Sequence, residues 1–372
     1  MTAQTPVPAM TKVVISDVHM GTGARPGLSN HYEDFFHDDR LAELILHYAS
    51  GRYAEAQVEL VIAGDFLDLL KVPFQGRFET EVTEEIAVDK VRRCIRGHPA
   101  VFDALATFVA TPLHRVTYVT GNHDLEVAFP RVQTLIRARL NLPKDSSSLT
   151  ILPAQEFYRM PGGVVVSHGH MFEAVNRTDA QTPFTRTEDG RTIANLPFGS
   201  QFYIRVLAPI KGEQPLIDLV HPLSSFILWG LVFDLRFTLR VLWRMARFIL
   251  KSQLRREHMR TAGFFSTVQM LFEEVALSSR MESRALKLLR SSEDIRALIV
   301  GHSHAAKVRR FPRDKLYVNT GTWIRLVSLD LRDLGTRNYL TYALVEYPET
   351  GAPSVRLMRW RGSPRPFEEV VA

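Results

Sequence analysis

The chain predicts a layered α/β fold, and three observations carry that expectation. Short apolar runs recur along it, rich in β-branched residues and closed by glycine or a polar break: "KVVISDVH", "LVIAGDFLD", "RVTYVTGNHD", "GVVVSHGH" and "ALIVGHSH". Runs that are apolar throughout, without alternation, suit strands covered on both faces. Segments with helical spacing of apolar residues separate the early runs. Finally, every run ends in aspartate, asparagine or histidine, and an open α/β sheet binds its ligands beyond the carboxyl ends of its strands.

Taken in order, the first run reaches Asp17 and His19 and is followed by a helical stretch, "DDRLAELILHYA". The second reaches Asp65 and Asp68, before the helical "EEIAVDKVRRCI" and "PAVFDALATFVA". The third ends at Asn122, His123 and Asp124, before "PRVQTLIRARL", and the fourth ends at His168 and His170. From about 171 to 295 the strand rhythm gives way to long segments of helical pattern. It resumes with "ALIVGHSH", ending at His302 and His304, then "KLYVNTGTW" and "NYLTYALVEY". The expected organisation is a discontinuous α/β domain, 11–170 plus 296–362, with 171–295 inserted as a helical cap or membrane-surface subdomain.

With 372 residues, 45% of them hydrophobic, the chain has ample material for a core. Its single cysteine, Cys94, excludes an internal disulfide framework and suits a reducing compartment. The start, "MTAQTPVPAM", has no cationic stretch leading into an apolar one, and no segment reaches about 18 consecutive apolar residues. The expected location is therefore cytoplasmic, or peripheral on a membrane surface. A formal charge of +6 points to an anionic partner: a phosphate-containing substrate, lipid headgroups or nucleic acid.

The strand-end residues mix carboxylates, imidazoles and one amide. That mixture of hard oxygen and borderline nitrogen suits Mn²⁺, Fe²⁺ or Zn²⁺ rather than a thiolate-bound structural zinc. Seven donors exceed the needs of one four-coordinate metal and are enough for two that share a carboxylate. Two metals about 3.5–4 Å apart can clamp a phosphate and generate hydroxide near neutral pH.

Asp-Val-His at 17–19, Gly-Asp-Phe-Leu-Asp at 64–68, Gly-Asn-His-Asp at 121–124, His168 and Gly-His-Ser-His at 301–304 stand in the order found in the calcineurin-like metallophosphoesterase superfamily, which the chain resembles. The resemblance implies a four-layer α/β/β/α sandwich of two mixed sheets. It also implies two divalent ions, Mn²⁺ first among the candidates. Asp17, His19 and His304 would hold the first metal, Asn122, His168 and His302 the second, and Asp65 both. His123 would donate a proton to the leaving oxygen, with Asp124 beside it to orient the imidazole. The nucleophile would be hydroxide generated at the metals. His170 and His31 are candidate substrate contacts. Asp68 is either a support of this kind or an ordinary cap, and Asn319 is expected to hold a turn.

Protein phosphatases of the superfamily carry Asp-Arg-Gly after the second motif, whereas here Leu69 and Leu70 follow Asp68. The missing arginine fork favours a diester or pyrophosphate over a phosphomonoester. "SDVHMG" and "GDFLD" resemble UDP-2,3-diacylglucosamine pyrophosphatases, although this chain is longer and has His123 where those enzymes usually carry arginine. The alternatives are a metal-dependent nuclease and a metal-free scaffold. In the insertion, Arg236, Arg240, Arg244, Arg247, Lys251 and Arg255 follow one another at helical spacing opposite an apolar face. Such a helix over 235–255 suits an anionic membrane; a cap helix with a solvated basic stripe gives the same pattern.

Overall fold

The computed structural model describes residues 8–24, 30–153, 155–179, 181–217, 219–221, 230–255, 278–328, 335–337, 339–362 and 366–370. Strand β1 (Met10–Ile15) lies parallel to β2 (Gln57–Ala63), and β3 (His114–Val119) and β4 (Leu149–Leu152) continue the parallel set. A second sheet begins with β5 (Tyr158–Met160) and β6 (Val164–Val166). A ribbon, β7 (Phe184–Arg186) and β8 (Thr192–Ala194), and the short β9 (Val220–His221) come next in the chain. The second sheet is completed by β10 (Ala297–Val300), β11 (Lys307–Phe311) and β12 (Lys315–Asn319), giving the order β11-β12-β10-β6-β5. The strands β13 (Leu326–Ser328) and β14 (Gly335–Arg337) join β9 in a small third sheet. Last, β15 (Thr341–Tyr347), β16 (Ser354–Trp360) and β17 (Phe367–Glu369) extend the first sheet antiparallel from β1, in the order β17-β16-β15-β1-β2-β3-β4.

Alternate residues of a strand face opposite sides of its sheet, and here both sides are covered. Val13, Ile15, Leu60 and Ile62 pack with Leu41, Leu44, Phe102 and Leu105. Those partners lie on helices α1 (Asp38–His47) and α3 (Pro99–Ala110), which line one face of the first sheet with α2 (Glu84–Gly97) and α4 (Pro130–Arg139). Val14, Val61 and Ala63 point the other way and meet Val166, Ile299 and Val318 of the second sheet. The opposite face of that sheet, with Val165, Leu298, Val300 and Tyr317, packs on Met281, Ala285 and Leu289 of helix Ser278–Ser291. The layers therefore run α/β/β/α. Their two-sided burial explains why the strand runs are apolar throughout.

The segment read as a helical insertion contains a helix from Phe198 to Lys211, whose middle turn, Tyr203–Leu207, is π-helical. A second helix spans Leu235–Arg255, as its periodicity predicts. The two share a core that includes Phe202, Val206, Phe237, Val241, Met245 and Phe248. Two features differ from the helical reading. Ribbon β7–β8 and strand β9 are too short for a period of two to register in sequence. Helix Ser278–Ser291, read with the insertion, forms the fourth layer of the sandwich, because its amphipathic pattern does not specify which surface it covers. Among the described residues, no helix is long and apolar enough to cross a membrane.

Candidate metal centre

The two sheets turn the carboxyl ends of their central parallel strands toward one place. Asp17 and His19 follow β1, Asp65 follows β2, Asn122 follows β3, His168 follows β6, and His302 and His304 follow β10. Asp17, His19, Asp65, His302 and His304 all have positive φ, between 51° and 66°. Left-handed backbone costs a residue with a Cβ about 1–2 kcal/mol, and strain of this kind concentrates at functional sites. Sharp turns at the strand ends throw these side chains inward. Glycines of the motifs make room for them: a Cβ on Gly121 would overlap the carboxylate of Asp65, and one on Gly301 would overlap that of Asp17.

The donors fall into two groups. Nε2 of His19 lies 3.0 Å from Nε2 of His304, which lies 3.3 Å from Oδ1 of Asp17. Nε2 of His168 lies 3.1 Å from Oδ2 of Asp65, and the same carboxylate oxygen is 3.8 Å from Nε2 of His19. His302 joins Asp65 and His168 in the second group, its ring centroid 5.1 Å from that of His168. The pattern therefore brings six of the seven expected ligands into two cation-sized clusters, with Asp65 between them. Asn122 is the seventh, and its buried Oδ1 accepts no hydrogen bond. A buried amide oxygen without a donor is costly, and a cation would satisfy it. Oxygen and imidazole donors with no thiolate fit a divalent metal pair.

Partners outside the clusters fix the imidazoles. Nδ1 of His168 donates to the carbonyl of Ala63 at 2.9 Å, which leaves Nε2 as the ligand atom. Nδ1 of His19 donates to Asp68 at 3.1 Å with the same effect. His302 donates from Nε2 to Glu173 at 2.8 Å, leaving Nδ1 toward the cluster. Burial opposes the ionisation of Asp65, yet His168 and His123 hold its carboxyl well below the usual range. Burial likewise opposes protonation of His168, but Asp65 pushes its imidazole up to about 10. The site thus favours cations strongly; protons and metal compete for it.

His123 lies beside the clusters, its ring edge-on to that of His19 at 4.8 Å between centroids. Asp68, not Asp124, orients it: Nδ1 donates to Oδ1 of Asp68 at 2.9 Å. The role expected of Asp124 is corrected here. Its carboxylate turns away and accepts from the backbone N–H groups of Gly121 and Phe66 and from the hydroxyl of Tyr118, so it braces the loop. Neighbours along a tight loop point in different directions, and adjacency in sequence does not make contact. Asp68 is no ordinary cap. It is fully buried and joins His19, His123 and the ammonium of Lys71, which lies 2.8 Å from it.

One further expectation changes, that for His170. His170 is buried behind the clusters, with Nε2 at 3.0 Å from the hydroxyl of Thr178; burial, then His168 and His302, hold it well below the usual imidazole range. Its burial among the cluster histidines leaves it no open face to offer a substrate. His31 is exposed and bonds from Nδ1 to the carbonyl of Gly212 on the insertion, so it ties the first-motif loop to the cap. Asn319 holds the last loop as its "VNTG" setting suggests, donating to the carbonyl of Gly301 and accepting from Gly321. The sequence reading missed Glu173, Lys71, Ser200 and Tyr203. The hydroxyl of Ser200 donates to the carbonyl of Asn122, and the ring of Tyr203 lies 5.7 Å from that of His123. Glu173, Ser200 and Tyr203 reach the site only once the insertion folds, and Lys71, one turn past Asp68, stands there as a lone lysine after an apolar pair.

Clustered aspartates and histidines at the strand ends of a four-layer sandwich define a metal-dependent phosphoesterase. Residues 10–221 match the calcineurin-like phosphoesterase family, and the chain belongs to that family. Among solved structures it is similar to a dimetal phosphatase from Danio rerio, 16% identical with a TM-score of 0.40 over 95% of each chain. It is also similar to a conserved uncharacterized protein, a predicted phosphoesterase, from Streptococcus pneumoniae. That protein is 11% identical, with a TM-score of 0.31, over 97% of this chain and 96% of its own. No curated protein matches the chain.

Proposed function

We propose that the chain hydrolyses a phosphodiester or pyrophosphate bond in a lipid-linked substrate of the kind represented by UDP-2,3-diacylglucosamine. The observation that carries this reading is the seat of the insertion. Its Phe198–Lys211 helix sets Ser200 on the Asn122 loop and Tyr203 on His123, and behind them lies an apolar core of Phe198, Phe202 and Phe248. A roof built on apolar side chains suits a substrate that carries an apolar group beside its phosphate.

Asp17, His19 and His304 would hold one divalent ion, Asn122, His168 and His302 another, and Asp65 both. When bound, the pair supplies positive charge to the phosphate and lowers the pKa of a water. The protein's own work is positional and acid–base. Asp68 fixes Nδ1 of His123, which leaves Nε2 on the opposite side of the ring from its support. Burial opposes protonation of this imidazole, yet Asp68 and Asp65 push it up to about 9. Cations beside Asp65 would pull that value down, toward the range where a general acid works near neutral pH. The protonated Nε2 can then donate to the departing oxygen.

The test is hydrolysis of bis-p-nitrophenyl phosphate with added Mn²⁺, run beside UMP release from UDP-2,3-diacylglucosamine. Asp65→Asn should abolish both, and His123→Ala should cost about 10²–10⁴-fold in kcat. Diester cleavage without UMP release would discard that lipid substrate while keeping the reaction class. Cleavage of DNA at a comparable rate would favour the nuclease alternative. No metal-dependent hydrolysis of any of them would overturn the proposal.

A further inference from the structure

The Leu235–Arg255 helix has three faces where a cap helix needs two. At about 100° per residue, Phe237, Val241, Met245, Phe248 and Ile249 lie on one side, and all five are buried in the insertion's own core. The remaining surface divides in two. Leu235, Leu239, Trp243 and Leu250 fall within an arc of about 80°, and each is more than half exposed: 52%, 54%, 59% and 56%. Arg236, Arg240, Arg244, Arg247 and Lys251 fill the next arc of about 80°; all but the half-buried Arg244 are exposed. The helix contains no aspartate or glutamate. Arg240 meets Glu213 at 3.0 Å, and the guanidinium of Arg247 lies over the ring of Trp243, 5.3 Å from its centroid.

We infer that this helix seats the protein on an anionic phospholipid bilayer, with Leu235, Leu239, Trp243 and Leu250 entering the headgroup boundary and the adjacent cationic arc meeting lipid phosphates. An apolar stripe of leucine and tryptophan beside a stripe of arginine is what an interfacial helix requires, and tryptophan is at home at that depth. Charge complementarity selects the occupant. A packing surface for an ordinary protein partner does not need an unbroken cationic arc along its whole length, whereas an anionic leaflet attracts every charge on it. The inference extends the lipid reading above but stands on a different surface, so each can fail without the other. It gives the apolar roof a reason: the same two helices that share the insertion's core would join the bilayer to the metal site.

The experiment uses the full chain with vesicles of phosphatidylcholine, alone or mixed with phosphatidylglycerol. Co-sedimentation is expected with the mixed vesicles only, weakening as salt rises. Arg236→Gln with Arg247→Gln should weaken it about 25-fold, at about fivefold per charge. Leu239→Glu with Trp243→Glu should abolish it and leave hydrolysis of bis-p-nitrophenyl phosphate intact, since neither side chain is in the core. Should the double glutamate variant not fold, quenching of wild-type fluorescence by brominated lipid, lost in Trp243→Phe, reads the same contact. No binding to either vesicle, or equal binding to both, would overturn the inference. So would a dimer in sedimentation velocity that Leu239→Glu dissociates while vesicles are ignored, which would make this face a self-association surface.

Discussion

Asp68 carries more of the site than its place in a motif suggests. One carboxylate oxygen accepts from His123 and the other from His19, and Lys71 stands beside it. Lys71 is paired in turn with Asp34, which also receives Lys211 of the insertion at 3.0 Å. Burial opposes the ionisation of Asp68, but Lys71 and His123 hold its carboxyl well below the usual range. An amide at this position keeps the shape and loses the charge that the protonated imidazole needs. Asp68→Asn is therefore expected to lower kcat about 10–100-fold, the range for supporting residues of metal sites, with KM little changed. Unaltered kcat would remove Asp68 from this role. At this scale the ligands were legible, because each ends a strand run and has a chemistry of its own. The supporting carboxylate was not: Asp68 and Asp124 both follow motif residues, and only the direction of each side chain tells them apart.

Elements contribute through the joints between them. His98 sits where α2 passes into α3, buried between the carboxylates of Asp38 at 2.8 Å and Glu33 at 3.3 Å. Glu33 also accepts from the N–H groups of Gly21 and Gly23, so this one imidazole ties the first-motif loop to three helices. Burial opposes its protonation, but the hydrogen bonds to Asp38 and Glu33 push it up to about 9. A histidine whose folded pKa lies above its unfolded value binds more protons when folded. Its contribution is full below pH about 6.5, the unfolded value, and is lost as pH rises toward about 9. The urea midpoint should therefore fall across that window. His98→Gln should start lower and fall less steeply, with the raised imidazoles of His123 and His168 supplying the rest of the slope in metal-free protein, and an equal slope in both proteins would assign the pH dependence elsewhere. In the sequence His98 stands in "RGHPA", outside every motif, and nothing there announces its two carboxylate partners. The strands were readable because burial on both faces leaves an unmistakable run. Ribbon β7–β8 was not, and the attachment of helix Ser278–Ser291 to the second sheet depends on packing partners far away in the chain.

At the scale of the molecule, the metal centre spans the seam between the two sheets. Asp17, His19, Asp65 and Asn122 hang from the first sheet, and His168, His302 and His304 from the second. Without cations, the sheets are joined at this edge by hydrogen bonds and ion pairs such as His302 N–H to Asp17 at 2.9 Å. Away from it they are joined by the apolar layer of Val14, Val61, Ile299 and Val318. Ions held by both sheets bind only the folded chain, so each stabilises it by mass action, about 2.7 kcal/mol at a concentration of one hundred times Kd. A chain of 372 residues has an unfolding entropy near 0.8 kcal/mol per kelvin, at about 2.1 cal/mol/K per residue. Adding Mn²⁺ to chelator-treated protein should then raise Tm by about 3–4 °C for each ion bound. Because protons compete for the same imidazoles, the increment should shrink as pH falls. His302→Ala removes a donor from the second cluster and should erase about half of the increment, measured against the variant's own metal-free Tm, because the substitution also takes the partner of Glu173. A full increment in that variant would mean that His302 holds no ion.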